Sequence, residues 1–331
     1  MKTENMSDRA NAGVLILDRD AERYAKALAP NFPRMTFITC DNYADLEAAL
    51  QQDAPRVALT FKIGPGAFPR EALLESGCLE WIHTGGAGID HLRPWPSAIT
   101  VTNSSGIHGD IMAEFVLAAM IGFNHHARTY EFQQAHRVWK KHEARSVAQQ
   151  TVVILGFGSI GGHVARLARA VGMHVIGVRS QTGSAPRAGA DGVQIVGADQ
   201  LHWALGQADH LAVCLPLTPA TRGLVDAKAL AATKPGVHLV NVARGGIVDE
   251  DALLLALKSG HVAGATLDVF AKEPLPEDSV FWSLENVRVT PHSSSDIEGW
   301  QDRVINLFQS NLERWQAHTP LLNLVKSERG Y

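Results

Sequence analysis

The sequence predicts an α/β protein with two doubly wound, parallel sheets. Short apolar runs alternate with helical patterns along the chain, and a glycine motif separates one such run from a helix near the middle. The 331 residues, 46% hydrophobic and 19% charged, are enough for two domains of ordinary size. We therefore expect one helix-covered sheet in about the first hundred residues and a second sheet around the glycine motif.

The first hundred residues carry the elements of the first sheet. Helical patterns near residues 21–28, 43–50 and 70–74 separate four apolar runs. The predicted strands are GVLIL, MTFIT, RVALT and EWIHT. Residues 107–139 are compatible with one long helix, which is expected to lead from the first unit into the second.

Residues 151–180 predict a strand, a glycine turn, a helix and a second strand. Gly156, Gly158 and Gly161 give the G-x-G-x-x-G pattern in that context. Gly156 is expected to allow the tight turn, Gly158 to let the backbone approach a pyrophosphate, and Gly161 to let the helix pack closely. The free N–H groups from Phe157 to Ile160 would hold the phosphates at the helix N-terminus. A turn with a packing role alone is the alternative.

The end of the second strand indicates which dinucleotide binds. An Asp or Glu about 20 residues further on would accept hydrogen bonds from the ribose of NAD. This chain has Arg179 and Ser180 there, with Arg187 nearby. A guanidinium cannot accept a hydrogen bond from a 2′-hydroxyl, but it pairs well with a 2′-phosphate. We therefore expect NADP(H) to be preferred, with NAD(H) possible; the alternative is that Arg179 is a solvated strand end.

Four further apolar runs continue the second sheet. They are DHLAVCL, VHLVNV, AGATLDV and NVRVT. A helical pattern at 249–258 separates two of them, and the last helical pattern covers residues 298–316. The tail after that helix is expected to pack on the first unit.

Three polar residues follow predicted strands, where an open α/β sheet places its ligand crevice. Arg244 follows VNVA, Glu273 follows LDVFAK, and His292 follows VRVTP. Arg244 would bind the carboxylate and carbonyl oxygens of a 2-oxo acid, and His292 would give a proton to the carbonyl oxygen. Glu273 would favour the imidazolium and fix the ring. Taken singly, a surface Arg, a structural His and a solvated Glu are the ordinary alternatives.

The motifs GFGSIG, PLTPATRG, NVARGGIVDEDAL, GATLDVFAKEPLP and TPHSSS occur in this order. The array resembles the D-2-hydroxyacid dehydrogenase family, and the likeness extends to HTGGAGIDHL and GIHGDIMAEFVL. The resemblance implies NAD(P)-linked interconversion of 2-oxo acids and D-2-hydroxy acids. Arg244, Glu273 and His292 match its catalytic triad, with His292 as the general acid and base.

The resemblance also implies domains and contacts. A flavodoxin-like substrate domain is expected from residues 1–105 and 294–331, and a Rossmann dinucleotide-binding domain, which joins two subunits into a homodimer, from residues 106–293. The N–H groups of Ala87 and Gly88 would bind the substrate carboxylate. The residues expected to contact the coenzyme are Gly156, Phe157, Gly158, Ser159, Ile160, Gly161, Arg179, Ser180, Pro216, Thr221, Val242 and Asp268.

Departures from the family pattern narrow the expected function. Arg179 stands where most NAD-using members have Asp. In this respect the chain resembles NADPH-preferring glyoxylate and hydroxypyruvate reductases. Glu273 argues against formate dehydrogenase activity, which has Gln there. Trp282 is a candidate to reach the pocket of a neighbouring subunit. Lys62 is a candidate partner for a second anionic group of the substrate, with a solvated loop lysine as the alternative.

Composition and motifs exclude several function classes. The formal charge of −4 without a basic stripe argues against a nucleic-acid-binding protein. The sequence has no run of about 18 uncharged apolar residues, so it predicts no membrane span. The polar start and three scattered cysteines favour a cytoplasmic protein. The histidines, including His125 and His126, show no metal-ligand spacing.

Two other classes remain as alternatives to the reductase. A dinucleotide-sensing interaction protein, similar to corepressors of this fold, would bind the coenzyme with little turnover. A methyltransferase with a similar glycine turn would need an acidic residue where Arg179 stands.

Overall fold

The computed structural model describes residues 6–64, 66–180, 187–188 and 192–326, except the side chains of Met6, Ser7, Arg187 and Ala188. The chain divides into two units, Met1–Ile107 with Glu298–Tyr331, and His108–Ile297. Each unit contains one sheet with helices on both faces. This confirms the predicted α/β class with two parallel sheets.

Strands and helices alternate along most of the chain. The strands are β1 Gly13–Leu17, β2 Thr36–Cys40, β3 Val57–Thr60, β4 Trp81–Thr84, β5 Thr100–Asn103, β6 Thr151–Leu155, β7 His174–Arg179, β8 Arg187–Ala188, β9 Gln194–Gly197, β10 His210–Val213, β11 Val237–Asn241, β12 Val262–Leu267 and β13 Val287–Val289. The helices are α1 Met6–Ala10, α2 Ala21–Leu28, α3 Leu46–Asp53, α4 Arg70–Leu74, α5 Gly109–Asn124, α6 Ala127–Ala135, α7 Ser159–Ala170, α8 Leu201–Leu205, α9 Ala227–Ala231, α10 Glu250–Ser259 and α11 Trp300–Gln316.

The first unit has a five-stranded parallel sheet with the order β2-β1-β3-β4-β5. Helices α2 and α11 bury one face, where Phe308 and Trp315 pack beside Trp81, and α3 and α4 contribute to the core on the other face. The tail returns to this sheet, because the Val325 amide donates to the Val101 carbonyl oxygen (2.9 Å). The predicted packing of the tail on the first unit is confirmed.

The second unit has an eight-stranded sheet with the order β13-β12-β11-β10-β6-β7-β9-β8. Its pairs are parallel except for β8 against β9. Helices α5 and α7 pack on one face, and α8, α9 and α10 pack on the other. Strand β6 lies between β7 and β10, where the strand order reverses, and doubly wound sheets bind ligands at that point.

The prediction of one helix over residues 107–139 was wrong. Helix α5 ends at Asn124 and α6 begins at Ala127. His126, directly before α6, has φ +55°, in the left-handed region that no α-helix continues through. Three strands, β5, β8 and β9, were absent from the predicted set.

Among the described residues, no helix combines the length and the apolar character that crossing a membrane requires.

Candidate active site

The glycine turn joins β6 to α7, and two of its glycines are explained by close packing. Gly156 has φ +92°, and a Cβ there would lie 2.6 Å from Leu215 Cα. A Cβ on Gly161 would lie 2.2 Å from the Gly156 carbonyl oxygen. By contrast, a Cβ on Gly158 would meet no atom within 4 Å. The space outside Gly158 therefore leaves its backbone accessible to a ligand.

The N–H groups at the start of α7 differ in their availability. The Phe157 amide, predicted to be free, donates to the Val178 carbonyl oxygen (3.3 Å). Its ring packs on Gly177, where a Cβ would lie 2.3 Å from the ring. Phe157 is thus held by the neighbouring strand β7, which corrects the prediction for its amide. Along α7, the Gly162 amide donates to Gly158 O (2.9 Å), so the amides of Ser159 and Ile160 precede the helical ladder.

Arg179 is the last residue of β7, beside the turn, and it is exposed. Ser180 follows it and is also exposed. Strand β7 pairs with β6, so Arg179 stands at the same edge of the sheet as the glycine turn. The Arg187 side chain lies outside the described residues.

Two of the three predicted catalytic residues form a direct contact. His292 Nδ1 lies 2.8 Å from Glu273 Oε2, and Glu273 Oε1 accepts from the Phe270 amide (2.9 Å). Glu273 follows β12 and His292 follows β13, which are adjacent and parallel. Arg244 follows β11, the next strand, so all three residues stand at the carboxyl edge of neighbouring strands.

Electrostatics link these three residues. Burial raises the pKa of the Glu273 carboxyl, but the hydrogen bonds from His292 and Phe270 N and the charges of His292 and Arg244 outweigh it. The pKa of Glu273 therefore lies below its usual value, and the carboxylate is the form that faces the imidazole near neutral pH.

A glycine allows the turn that carries Arg244 to approach the loop that carries Glu273. A Cβ on Gly245 would lie 1.9 Å from the Phe270 carbonyl carbon, so only glycine fits. The Arg244 guanidinium donates from Nη1 to the Ala243 carbonyl oxygen (2.7 Å). Gly245 therefore belongs to the architecture of the site, a role that the sequence pattern did not indicate.

Asp268 holds the loop that carries His292. Its carboxylate is fully buried and accepts from Thr290 Oγ1 (2.6 Å), the Ser293 amide (2.9 Å) and the Ser294 amide (3.0 Å). His292 itself has φ +55°. Strained backbone of this kind persists where surrounding contacts fix it, and it occurs often at functional sites. Asp268 provides such contacts on both sides of His292.

The remaining predicted coenzyme residues lie after β10 and β11. Thr221 Oγ1 donates to the Pro216 carbonyl oxygen (2.6 Å) and accepts from the Thr218 amide (2.8 Å), which closes the turn after β10. Val242 is buried, and its amide donates to Val213 O (3.3 Å). These residues belong to the same edge of the sheet as Arg244.

Lys62, Ala87 and Gly88 belong to the first unit. Lys62 is exposed and lies two residues after the end of β3. Ala87 and Gly88 follow β4, and the Ala87 carbonyl oxygen accepts from Asn103 Nδ2 (2.8 Å). Within the described part of the chain, neither N–H group of Ala87 and Gly88 has a hydrogen-bond partner. Asn103 was not identified from the sequence.

Trp282 belongs to the second unit and is 49% exposed. Its indole Nε1 donates to the Pro276 carbonyl oxygen (2.9 Å), which holds the ring against its own loop.

Comparison with known sequences gives one family. The sequence model for the NAD binding domain of D-isomer specific 2-hydroxyacid dehydrogenases matches residues 117–294. The D-3-phosphoglycerate dehydrogenase of Mycobacterium leprae is 38% identical over 240 residues, which are 70% of this chain and 44% of that protein. The matched part of the chain thus spans less than half the length of this relative.

Two solved structures are similar over nearly the whole chain. A D-isomer specific 2-hydroxyacid dehydrogenase from Xanthobacter autotrophicus Py2, in complex with NADPH and MES, has a TM-score of 0.83 and 32% identity, covering 97% of this chain and 100% of that chain. An NADPH-dependent glyoxylate/hydroxypyruvate reductase from Sinorhizobium meliloti, in complex with NADP and sulfate, has a TM-score of 0.82 and 27% identity, covering 96% and 100%.

Proposed function

Because the chain belongs to the D-isomer specific 2-hydroxyacid dehydrogenase family, we propose that it reduces small 2-oxo acids to D-2-hydroxy acids by hydride transfer. Glyoxylate and hydroxypyruvate are the proposed substrates, and NADP(H) is preferred over NAD(H). The observation that carries the proposal is the contact of His292 with Glu273, with Arg244 on the next strand.

His292 acts as the general acid in this proposal. Glu273 Oε2 accepts a hydrogen bond from Nδ1, so Nδ1 keeps its hydrogen and Nε2 exchanges a proton with the substrate. When bound, the coenzyme supplies a hydride to the carbonyl carbon. The imidazolium gives its Nε2 proton to the carbonyl oxygen, which becomes the hydroxyl of the product. In the reverse direction the neutral Nε2 accepts that proton.

Arg244 and Glu273 support the proton transfer. The Arg244 guanidinium binds the substrate and stabilises negative charge that develops on the carbonyl oxygen. The Glu273 carboxylate accepts the hydrogen bond from His292 Nδ1 and so fixes the orientation of the ring.

The residues near β6 and β7 fit a dinucleotide phosphate. Gly158 has open space outside its Cα, and the amides of Ser159 and Ile160 lie at the N-terminus of a helix of 12 residues. Exposed Arg179 would pair with a 2′-phosphate, which is the basis of the preference for NADP(H). The NADPH and NADP bound in the two structures described above are consistent with this proposal.

Substrate recognition is assigned to the loop after β4 and, less directly, to Lys62. The Ala87 and Gly88 amides would bind the substrate carboxylate. Lys62 would bind a second anionic group, such as a distal carboxylate. The first unit is accordingly proposed as the substrate domain and the second as the coenzyme domain.

The test is a kinetic panel monitored at about 340 nm, the absorbance of the reduced nicotinamide. Glyoxylate, hydroxypyruvate, pyruvate, phenylpyruvate and 3-phosphohydroxypyruvate are each assayed with NADPH and with NADH. The expected result is the highest kcat/KM for glyoxylate or hydroxypyruvate with NADPH. Coenzyme binding without turnover of any of these acids would instead favour the dinucleotide-sensing protein, and a preference for the phosphorylated acid would reassign the substrate.

We also propose a homodimer formed through the second unit, in a cytoplasmic setting. Segment 130–139, called here the exposed aromatic surface, carries the exposed side chains Tyr130, Phe132, Val138 and Trp139, and Trp139 is 96% exposed. This segment is held in place, since the Tyr130 hydroxyl accepts from the His142 amide (2.9 Å) and the Val138 amide donates to Gln133 O (2.8 Å). A second copy of the chain would bury this apolar area.

A further inference from the structure

A chain of buried hydrogen bonds runs beneath the loop that carries Ala87 and Gly88. Trp81 Nε1 donates to Thr102 Oγ1 (2.8 Å), and Thr102 Oγ1 lies 2.7 Å from His83 Nδ1. His83 Nε2 lies 3.1 Å from Ser104 Oγ, which donates to the Thr84 carbonyl oxygen (3.1 Å). All five residues are fully buried, with exposed fractions of 0–1%.

The two ends of this hydrogen-bond chain fix which group donates and which accepts in each of its bonds. The Trp81 indole can only donate and the Thr84 carbonyl can only accept. Thr102 therefore gives its hydroxyl hydrogen to His83 Nδ1, and His83 donates from Nε2 to Ser104. This assigns the neutral Nε2–H tautomer to His83. Burial lowers the pKa of His83 to about 3, so the ring stays neutral near neutral pH.

Residues beside this hydrogen-bond chain hold the carbonyl groups of the loop. The Gly86 carbonyl oxygen accepts from the Ser104 amide (3.1 Å) and from Thr84 Oγ1 (2.9 Å). The Ala87 carbonyl oxygen accepts from Asn103 Nδ2 (2.8 Å). In a planar trans peptide the C=O and the following N–H point in opposite directions. Holding Gly86 O therefore aims the Ala87 N–H away from the network, and holding Ala87 O does the same for the Gly88 N–H.

The C-terminal tail of the protein holds Asn103 in turn. The Asn103 amide donates to Asn323 O (3.3 Å), and Asn323 Nδ2 donates to Asn103 O (3.1 Å) and Ser105 O (2.7 Å). Asn103 Oδ1 accepts from the Ser105 amide (3.1 Å), which orients its Nδ2 toward Ala87. Asn103, the last residue of β5, is thus held by hydrogen bonds on both sides.

We propose that His83, Asn103 and Ser104 are positioning residues that aim the Ala87 and Gly88 N–H groups at the substrate carboxylate. The proposal rests on the proposed function, in which this loop binds that carboxylate. These three side chains act through the loop rather than by touching the substrate. An uncharged network suits this task, because a charged imidazole under the loop would change the local field and demand a different hydrogen-bond pattern.

The experiment measures KM for glyoxylate and KM for NADPH separately in the full-length protein. Asn103→Ala removes the side-chain donor to the Ala87 carbonyl oxygen, and Ser104→Ala removes the hydroxyl that joins His83 to the Thr84 carbonyl oxygen at the start of the loop. The expected result is a rise of about tenfold in KM for glyoxylate, the change expected for one lost hydrogen bond that orients a donor to an anion. KM for NADPH and kcat should stay within about twofold of wild type, because uniform binding is lost rather than transition-state stabilisation.

A conservative pair tests the histidine. His83→Gln keeps an N–H donor near the position of Nε2 and should raise KM for glyoxylate less than His83→Leu, which has no donor. Ser76→Ala is the matched control, because Ser76 donates to Leu73 O (3.0 Å) at a site remote in sequence from the loop. Thermal unfolding of each variant identifies any variant that fails to fold. If His83→Leu fails to fold, the Asn103 and Ser104 variants still decide the question.

The outcomes separate this inference from the proposed function. An active wild type with unchanged KM for glyoxylate in Asn103→Ala and Ser104→Ala overturns the positioning role alone. Equal rises in KM for glyoxylate and for NADPH also overturn it, because they indicate a general structural effect. A wild type inactive on every 2-oxo acid overturns the proposed function, and the inference with it.

Discussion

His292 Nδ1 and Glu273 Oε2 lie 2.8 Å apart although the residues are 19 positions apart in the chain. The contact arises because each residue follows one of two adjacent parallel strands, β12 and β13. A carboxylate at this distance accepts the Nδ1 hydrogen bond and fixes the orientation of the imidazole.

Replacing Glu273 tests this contact in catalysis. Glu273→Gln keeps the shape of the side chain but removes the charge, so kcat for glyoxylate should fall about 10- to 100-fold at neutral pH. Glu277→Gln, an exposed carboxyl four residues on, is the control and should retain wild-type kcat. Wild-type kcat in Glu273→Gln would remove Glu273 from the mechanism.

The same pair predicts a pH dependence of stability. The folded pKa of Glu273 is lowered, so its stabilising contribution is complete above the ordinary pKa of 4.5 and is lost as the pH falls through the lower folded value. Wild type should therefore unfold at a higher Tm than Glu273→Gln at pH 7, and the difference should shrink in acid. Thermal scans between about pH 7 and 3 measure this, and a difference that grows in acid would contradict it.

Arg179 is expected to decide between the two coenzymes. Arg179→Asp should lower kcat/KM with NADPH about 10- to 100-fold, because a charge-assisted contact with the 2′-phosphate becomes a repulsion. The value with NADH should rise or hold, since Asp accepts hydrogen bonds from the ribose hydroxyls. Arg166→Asp, an exposed residue of α7, is the control. An NADH preference in wild type would refute the assignment.

Asp268 is expected to matter for both stability and turnover. Asp268→Asn places an N–H₂ group among hydrogen-bond donors, so unfolding should become easier by about 1–3 kcal/mol. Displacement of the His292 loop should also lower kcat. Asp296→Asn, at an exposed position in the same loop, should change neither. Denaturant unfolding with parallel kinetics checks this, and equal behaviour of the two variants would speak against it.

The exposed aromatic surface predicts the oligomeric state. Trp139→Glu should convert the proposed dimer to a monomer, because a charge would be buried at the centre of an apolar contact. Sedimentation velocity gives the mass directly. Trp203→Glu makes the same change at another exposed tryptophan of the second unit and should leave the dimer intact. A monomeric wild type, or a dimeric Trp139→Glu, would rule this surface out.

The sequence was sufficient to predict that Arg244, Glu273 and His292 lie at one edge of a sheet, because neighbouring parallel strands end on the same side. It did not indicate the helix break, because the left-handed residue there is His126 rather than glycine. The sequence did not show that the Phe157 amide is paired. Its acceptor, the Val178 carbonyl oxygen, belongs to β7 and comes near through the pairing of β6 with β7 rather than through the local motif.

The support of the loop that carries Ala87 and Gly88 was also beyond the sequence pattern. Asn103 reaches Ala87 because β4 pairs with β5 in a register that places Thr84 opposite Asn103. Nothing in the spacing of these residues states that register. Gly245 likewise shows its importance only against the backbone of Phe270.

The core of the first unit includes α11, which contributes Phe308, Leu312 and Trp315. Residues 108–297 are synthesised before this helix. At ribosomal speeds that interval is roughly 10–40 s, during which Trp81 and its neighbours lack their cover. Until α11 is synthesised, one apolar face of the amino-terminal sheet stays uncovered and accessible to chaperones, whereas the second unit can already fold.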